Sequence, residues 1–160
     1  MTSGMMMTIG SVFYSILLMV IFFSKKRINS YENKVFRMIV ITSLIGLLLH
    51  IGCFLSMTYI GVDTFINFLV TRFYLIYLIC WMSLFTLYVL VICYPKKINK
   101  NVYETYFNWV LFFSLIFIVL ALFLKLDFHM DSKYIYSYGA SVNAVYLYSV
   151  LCISVWLFYL

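Results

Sequence analysis

The chain has 160 residues, 66% of them hydrophobic and 10% charged, against roughly 45–50% and about 25% in soluble domains. Its 11 basic and 5 acidic residues are too few to clothe a water-facing exterior, so a soluble globular domain is excluded. The net charge of +6 lies in short gaps between apolar runs rather than on a solvated face, which argues against a nucleic-acid partner.

The first apolar run, about 8–24, has no charge ahead of it and Lys25, Lys26 and Arg27 directly behind it. A secretory signal peptide has the opposite order, a basic start and a small-residue cleavage site after the core. This pattern predicts an uncleaved helix whose N-terminus crosses outward. A second run, about 38–62, holds no formally charged residue but contains His50. The third, about 73–94, is closed by Pro95, which does not continue a helix comfortably. The fourth covers about 105–124, and the fifth about 138–160 within a stretch uncharged from Tyr134 to Leu160. About 20 residues at 1.5 Å each cross a hydrocarbon core about 30 Å thick, so every run qualifies. Lipid leaves no water for unpaired backbone groups, and continuous apolarity without period-two alternation selects helices over barrel strands. The predicted fold is an all-α, polytopic transmembrane helix bundle of five spans forming one domain in a lipid bilayer.

Basic residues predict the orientation. The connections after the first and third runs carry Lys25, Lys26, Arg27, Lys34, Arg37, Lys96, Lys97 and Lys100; the other side carries Arg72, Lys125 and Lys133 beside Asp63, Asp127 and Asp131. Basic residues concentrate on the cytoplasmic side of membrane proteins, so the N-terminus is expected outside and the chain's last residue inside. Every connection is short. The polar outer segment 125–133 is too small for an extracellular domain, so recognition falls to the bundle or to these loops.

In the second run, Ser43, Gly46, His50 and Cys53 follow one another at spacings that put them on one helix face. Small, weakly polar residues so arranged let helices approach closely in lipid. His50 is the only imidazole expected at membrane depth, where ionisable groups are costly and mark candidate functional sites; a neutral histidine bonded to a neighbouring helix is the structural alternative. In the third run Arg72, Ser83, Thr86 and Cys93 share one side and Tyr77, Trp81 and Tyr88 the other. The polar side is expected to face the bundle, with Arg72 at the outer mouth as a carboxylate or phosphate ligand or as a headgroup anchor. In the fifth, Ser137, Ser141, Ala144, Tyr148 and Cys152 share a face and Asn143 lies roughly opposite, read as an interhelical hydrogen-bonding residue. Tyr134, Tyr136 and Tyr138 fit an interfacial aromatic belt.

Cys53, Cys80, Cys93 and Cys152 all fall inside apolar runs without metal-ligand spacing, so they read as packing residues rather than as disulfides or a zinc site. Asp127, His129 and Asp131 alternate in the outer segment; in a strand they would share a face, but a solvated loop is the expected form. Neither HExxH, GxSxG nor a phosphate-binding Gly-rich loop occurs, and no carboxylate pair lies within a run. No metal, no cofactor and no catalytic residue is expected.

Three stretches resemble a known family: Phe23-Ser24-Lys25-Lys26-Arg27-Ile28-Asn29 leading to Glu32-Asn33-Lys34-Val35-Phe36; Leu44-Ile45-Gly46-Leu47; and Tyr74-Leu75-Ile76-Tyr77-Leu78 with Trp81 and Phe85-Thr86-Leu87-Tyr88. Together they resemble the N-terminal multi-span membrane region of sensor histidine kinases from low-GC Gram-positive bacteria. The resemblance implies a sensing and anchoring role in a two-component system, as a homodimer, with the kinase core lying downstream in the family. The phosphoacceptor motif and the glycine-rich ATP lid are absent from this sequence, so the resemblance implies a chain truncated before the kinase core and carries over no catalytic residue. The alternative from another class is a small transporter or channel subunit acting as an oligomer.

Overall fold

The structure, a computed structural model, describes residues 3–24, 30–61, 64–93, 100–130 and 135–159. Five long helices dominate it: α1 (Ser3–Ser24), α2 (Tyr31–Leu55), α3 (Phe65–Cys93), α4 (Lys100–Phe123) and α5 (Ala140–Tyr159). Each is long and apolar enough to cross a membrane. The expected all-α multi-pass bundle is therefore present, with one exception, a short hairpin of β1 (Asp127–Met130) and β2 (Ile135–Tyr138). Its antiparallel register pairs Asp127 with Tyr138 and His129 with Tyr136. The outer segment expected as a solvated loop is thus partly a paired ribbon, and Ser137 belongs to β2 rather than to the fifth helix.

Helix boundaries differ from the apolar runs because hydropathy is blind to caps. α2 starts at Tyr31, seven residues before the expected 38, because the Ser30 hydroxyl accepts from the Asn33 amide at 3.3 Å and satisfies one of the orphan donors of the first turn. Its far end widens into a π-helical turn, Ser56–Ile60, in which the Gly61 amide reaches the Ser56 carbonyl at 3.2 Å. Gly61 then takes φ 101°, a conformation that L side chains rarely adopt, and the chain turns into α3. That helix starts at Phe65 rather than 73, because Asn67, Thr71 and Arg72 lower the local hydropathy although the backbone is already helical.

α3 is the hub. It packs against α2, α4 and α5, and 44% of its most apolar stretch is buried, against 6% for the peripheral α1. Its buried stripe runs Asn67, Thr71, Leu75, Ile79, Ser83 and Leu87, a four-residue step that keeps one face inward. One core joins α3, α4 and α5 through Leu75, Ile79, Phe117, Ala121, Ala144 and Tyr148. A second joins α2 and α3 through Val35, Ile39, Leu87 and Val91, with Tyr31 stacked on Tyr103 of α4 at 4.5 Å. The first core reaches the hairpin end and the second the opposite end, so the helices alternate up and down.

The exterior is inverted relative to a soluble protein. Phe123 is 83% exposed and Phe158 85%, with Phe13, Leu48, Val119 and Leu151 among many others facing outward. In water such a surface would drive aggregation; against lipid tails it is the ordinary exterior of a spanning helix. The chain is a multi-pass membrane protein.

Candidate functional site

The face of α2 carrying Ser43, Gly46, His50 and Cys53 meets the aromatic side of α3. Gly46 is buried, and a Cβ there would fall inside the ring of Tyr77. Glycine is therefore what lets the Tyr77 ring lie on the α2 backbone. Tyr77 stacks on Tyr74 at 5.9 Å, and Tyr74 meets His50 at 5.4 Å. One turn away, the Trp81 Nε1–H donates to Ser43 Oγ at 2.9 Å. The aromatic side of α3 is thus its contact with α2, while the polar side, expected to face the bundle, contacts α4 and α5.

Beyond the His50–Tyr74 pair a cavity of about 370 Å³ opens between α2, α3, α5 and β2. His50, Cys53, Thr71, Tyr74, Tyr136, Ser137 and Tyr146 supply its polar groups, and Leu75, Val142 and Val145 its aliphatic wall. His50, Tyr74 and Leu78 also border a neighbouring cleft of about 280 Å³ against α1, so the histidine, though exposed, stands between two cavities. Thr71 is 2% exposed, and its hydroxyl lies beside the Cys53 sulfur, its side-chain hydrogen-bond partner. The Cys53 thiol in turn donates to the Val70 carbonyl at 3.5 Å.

Further along α5, two rings tie that helix to the hub. The Ser83 hydroxyl donates to the Ile79 carbonyl at 2.6 Å, so the Tyr148 hydroxyl, 2.6 Å away, is the donor to Ser83. Thr86 repeats the scheme, donating to the Met82 carbonyl at 2.8 Å while accepting from Trp156 Nε1 at 3.0 Å. Phe85 bridges Trp81 and Trp156, with ring centroids 5.7 and 4.7 Å away.

Arg72 lies in α3 at the hairpin end, and its two terminal nitrogens donate to protein carbonyls while its buried Nε–H has no hydrogen-bond partner among the described residues. It donates to the carbonyls of Ala121 at 2.5 Å, Leu122, and Leu124 at 2.9 Å, and lies over the Phe68 ring at 4.4 Å. A cation here satisfies the orphan carbonyls and opposes the negative end of the α4 dipole. Asn143 is exposed on the side of α5 away from the buried Ser141–Ala144–Tyr148 face. It sits in the first turn, where a polar group near the membrane boundary costs little. Asp131 and Tyr134 lie outside the described residues, as do Lys25, Lys26, Arg27, Asp63, Pro95, Lys96, Lys97 and Lys133. His129 meets the Tyr136 ring at 5.2 Å, and among the described residues no three His, Cys, Asp or Glu side chains converge.

Thr71, Tyr136 and Tyr146 were not singled out by the sequence as cavity residues. Thr71 had a signal available, since Asn67, Thr71, Leu75, Ile79 and Ser83 step by four, but it falls ahead of the apolar run. Comparison with known proteins adds no family: no family model, no curated protein and no solved structure matches this chain. The resemblance to sensor kinases accordingly rests on the sequence stretches quoted above.

Proposed function

We propose that the chain is the membrane-embedded input and anchoring module of a two-component signalling protein, oriented with its hairpin end outside. The observation that carries this reading is the course of α5. Val142, Val145 and Tyr146 line the cavity beside His50, and the same helix is bonded further along to the hub through Tyr148–Ser83 and Trp156–Thr86. A ligand that changes how α5 sits against α2 and α3 at the cavity would strain those bonds, and α5 would pass the shift to the opposite end. Such a shift is limited by the ligand's differential affinity for the two arrangements. Orientation draws support from topology, because both basic connections leave the bundle from the end opposite the hairpin.

A transporter draws less support. Along the α3 stripe, Leu75 and Ile79 separate Thr71 from Ser83, a gap of 12 residues or about 18 Å at 1.5 Å each. Polar groups cluster above and below this apolar block rather than lining one path.

The reading is tested by joining the chain ahead of a histidine-kinase core and measuring autophosphorylation in nanodiscs. Thr86→Val and Trp156→Phe each remove an interhelical bond worth about 0.6 kcal/mol, so basal output should move about threefold. Output identical to wild type in both variants, with the protein inserted and folded, would remove α5 as the transmitting element.

A further inference from the structure

We propose that His50, Cys53 and Met57 form a binding site for a soft monovalent metal ion, Cu(I), on one wall of the cavity beside Tyr74. The three follow one another at spacings of 3 and 4 along α2 and its π-helical turn, so they share a face, and all three line the cavity. Among the described residues no three His, Cys, Asp or Glu side chains converge; here a thioether completes the set. Thiol and thioether sulfurs select Cu(I), and imidazole accepts it. Helical side chains lean toward the N-terminus, so a thioether at 57 reaches back over the thiol one turn earlier. Met57 also lies in the π-helical turn, and such widened turns recur at functional sites.

Charge decides the ion. Binding releases the Cys53 thiol proton to water and forms a bond from the thiolate sulfur to the metal, whose oxidation state does not change. A monovalent ion on one thiolate and two neutral ligands carries no net charge. The complex therefore escapes the cost of an uncompensated charge at membrane depth. A divalent ion on the same ligands keeps one positive charge, and structural zinc sites take a fourth ligand as well. The surroundings suit a bound thiolate. The Thr71 hydroxyl is the side-chain hydrogen-bond partner of the Cys53 sulfur, and a metal-bound thiolate still accepts that bond, an outer-shell contact of the kind that orients a ligand. His50 meets the Tyr74 ring at 5.4 Å but makes no hydrogen bond among the described residues, so its ring nitrogens are uncommitted. Tyr136 and Ser137 of the hairpin bound the same cavity, which brings its outer end to the membrane boundary, where an ion arrives from water.

The use of this ion as a signal rests on the sensing role proposed above, but its binding is measured without a kinase core, so the two can fail separately. The untagged full chain in nanodiscs competes anaerobically with bicinchoninate for Cu(I), with empty nanodiscs as control; zincon reads Zn(II) in parallel and circular dichroism reads folding. One equivalent of Cu(I) should leave the chelator, with Zn(II) at the empty-disc level. Met57→Leu, which conserves volume, and Cys53→Ser should each weaken Cu(I) binding by more than the roughly 10–100-fold that loss of an outer-shell partner costs, and Thr71→Val by about 10-fold. Cys80→Ala, at a position that does not line the cavity, should bind as wild type does. Cu(I) uptake no greater than by empty discs, equal affinity for Zn(II), wild-type affinity in folded Met57→Leu, or a matching loss in Cys80→Ala would each overturn the proposal.

Discussion

The guanidinium of Arg72 and the hydroxyl of Ser141 converge on one acceptor, the carbonyl oxygen of Ala121, at 2.5 and 2.7 Å. Three helices meet at that atom: α3 gives the arginine, α5 the serine and α4 the carbonyl. The Ser141 amide adds a bond to the Lys125 carbonyl at 3.1 Å. Between the two helices Gly139 takes φ 112°, and a Cβ there would lie 2.8 Å from the same Lys125 oxygen. The end of α4 is thereby closed by its neighbours rather than by a cap of its own.

Removing the cation should cost more than removing the hydroxyl. Arg72→Ala strands the Leu122 and Leu124 carbonyls, and bonds from a charged donor contribute about 1.5–3 kcal/mol, so a loss of about 2–3 kcal/mol is expected. Ser141→Ala leaves Ala121 still bonded to Arg72 and should cost about 1 kcal/mol. Because the two share an acceptor, the double variant should depart from the sum of the single ones. Unfolding in mixed micelles by SDS titration measures all three; an Arg72→Ala midpoint at the wild-type value would show that the guanidinium contributes nothing there.

Gly46 and Tyr77 form a second dependent pair. Gly46→Ala places a methyl where the Tyr77 ring lies, so either the ring swings out or α2 moves away, at a cost of about 1–3 kcal/mol for overpacking. Moving the ring also unstacks Tyr74 and loosens its contact with His50. Tyr77→Ala in the Gly46→Ala background removes the obstruction, so the double variant should be more stable than the sum of the two single losses predicts. Strict additivity would show that the ring is not what Gly46 accommodates.

The number of helices is legible in the sequence because a bilayer demands long apolar runs, and little else in these 160 residues satisfies that demand. Helix lengths are not, since Ser30 caps α2 inside a charged stretch and Arg72 sits within α3 as a helix-bound cation. Arg72 and His50 stand out in sequence by their chemistry alone. Their partners do not: the acceptors of Arg72 are backbone carbonyls, which every residue carries, and the partner of His50 is one tyrosine among 15. The hairpin escapes notice for a similar reason. Its strands are four residues each, too short for alternation to emerge from a polar linker.

The Ser83–Tyr148 bond makes an asymmetric prediction. Ser83 still donates to the Ile79 carbonyl when the tyrosine hydroxyl is gone, so Tyr148→Phe should cost only the bond itself, about 0.6 kcal/mol for an interhelical pair in lipid. Ser83→Ala instead leaves the hydroxyl of Tyr148, which is 4% exposed, with only the weak sulfur acceptor of Cys152, a penalty toward the lower end of about 1–3 kcal/mol. Ser83→Ala should therefore unfold first in the same SDS titration. The reverse order would mean that the buried tyrosine finds another acceptor.

Orientation can be read directly on whole cells. His129 in β1 and Arg37 near the start of α2 are both exposed and lie at opposite ends of the bundle. The basic connections joining α1 to α2 and α3 to α4 belong to the Arg37 end, and in the orientation proposed above, which follows the retention of basic residues in the cytoplasm, that end lies inside. His129→Cys should then react with a membrane-impermeant maleimide in intact cells. Arg37→Cys should react only after permeabilisation. The native thiols offer little background, since Cys53 and Cys152 are buried and Cys80 and Cys93 only partly exposed. Labelling of Arg37→Cys but not His129→Cys in intact cells would invert the topology. The cavity beside His50 would then open toward the cytoplasm, and α5 would carry its shift outward rather than to a partner inside the cell.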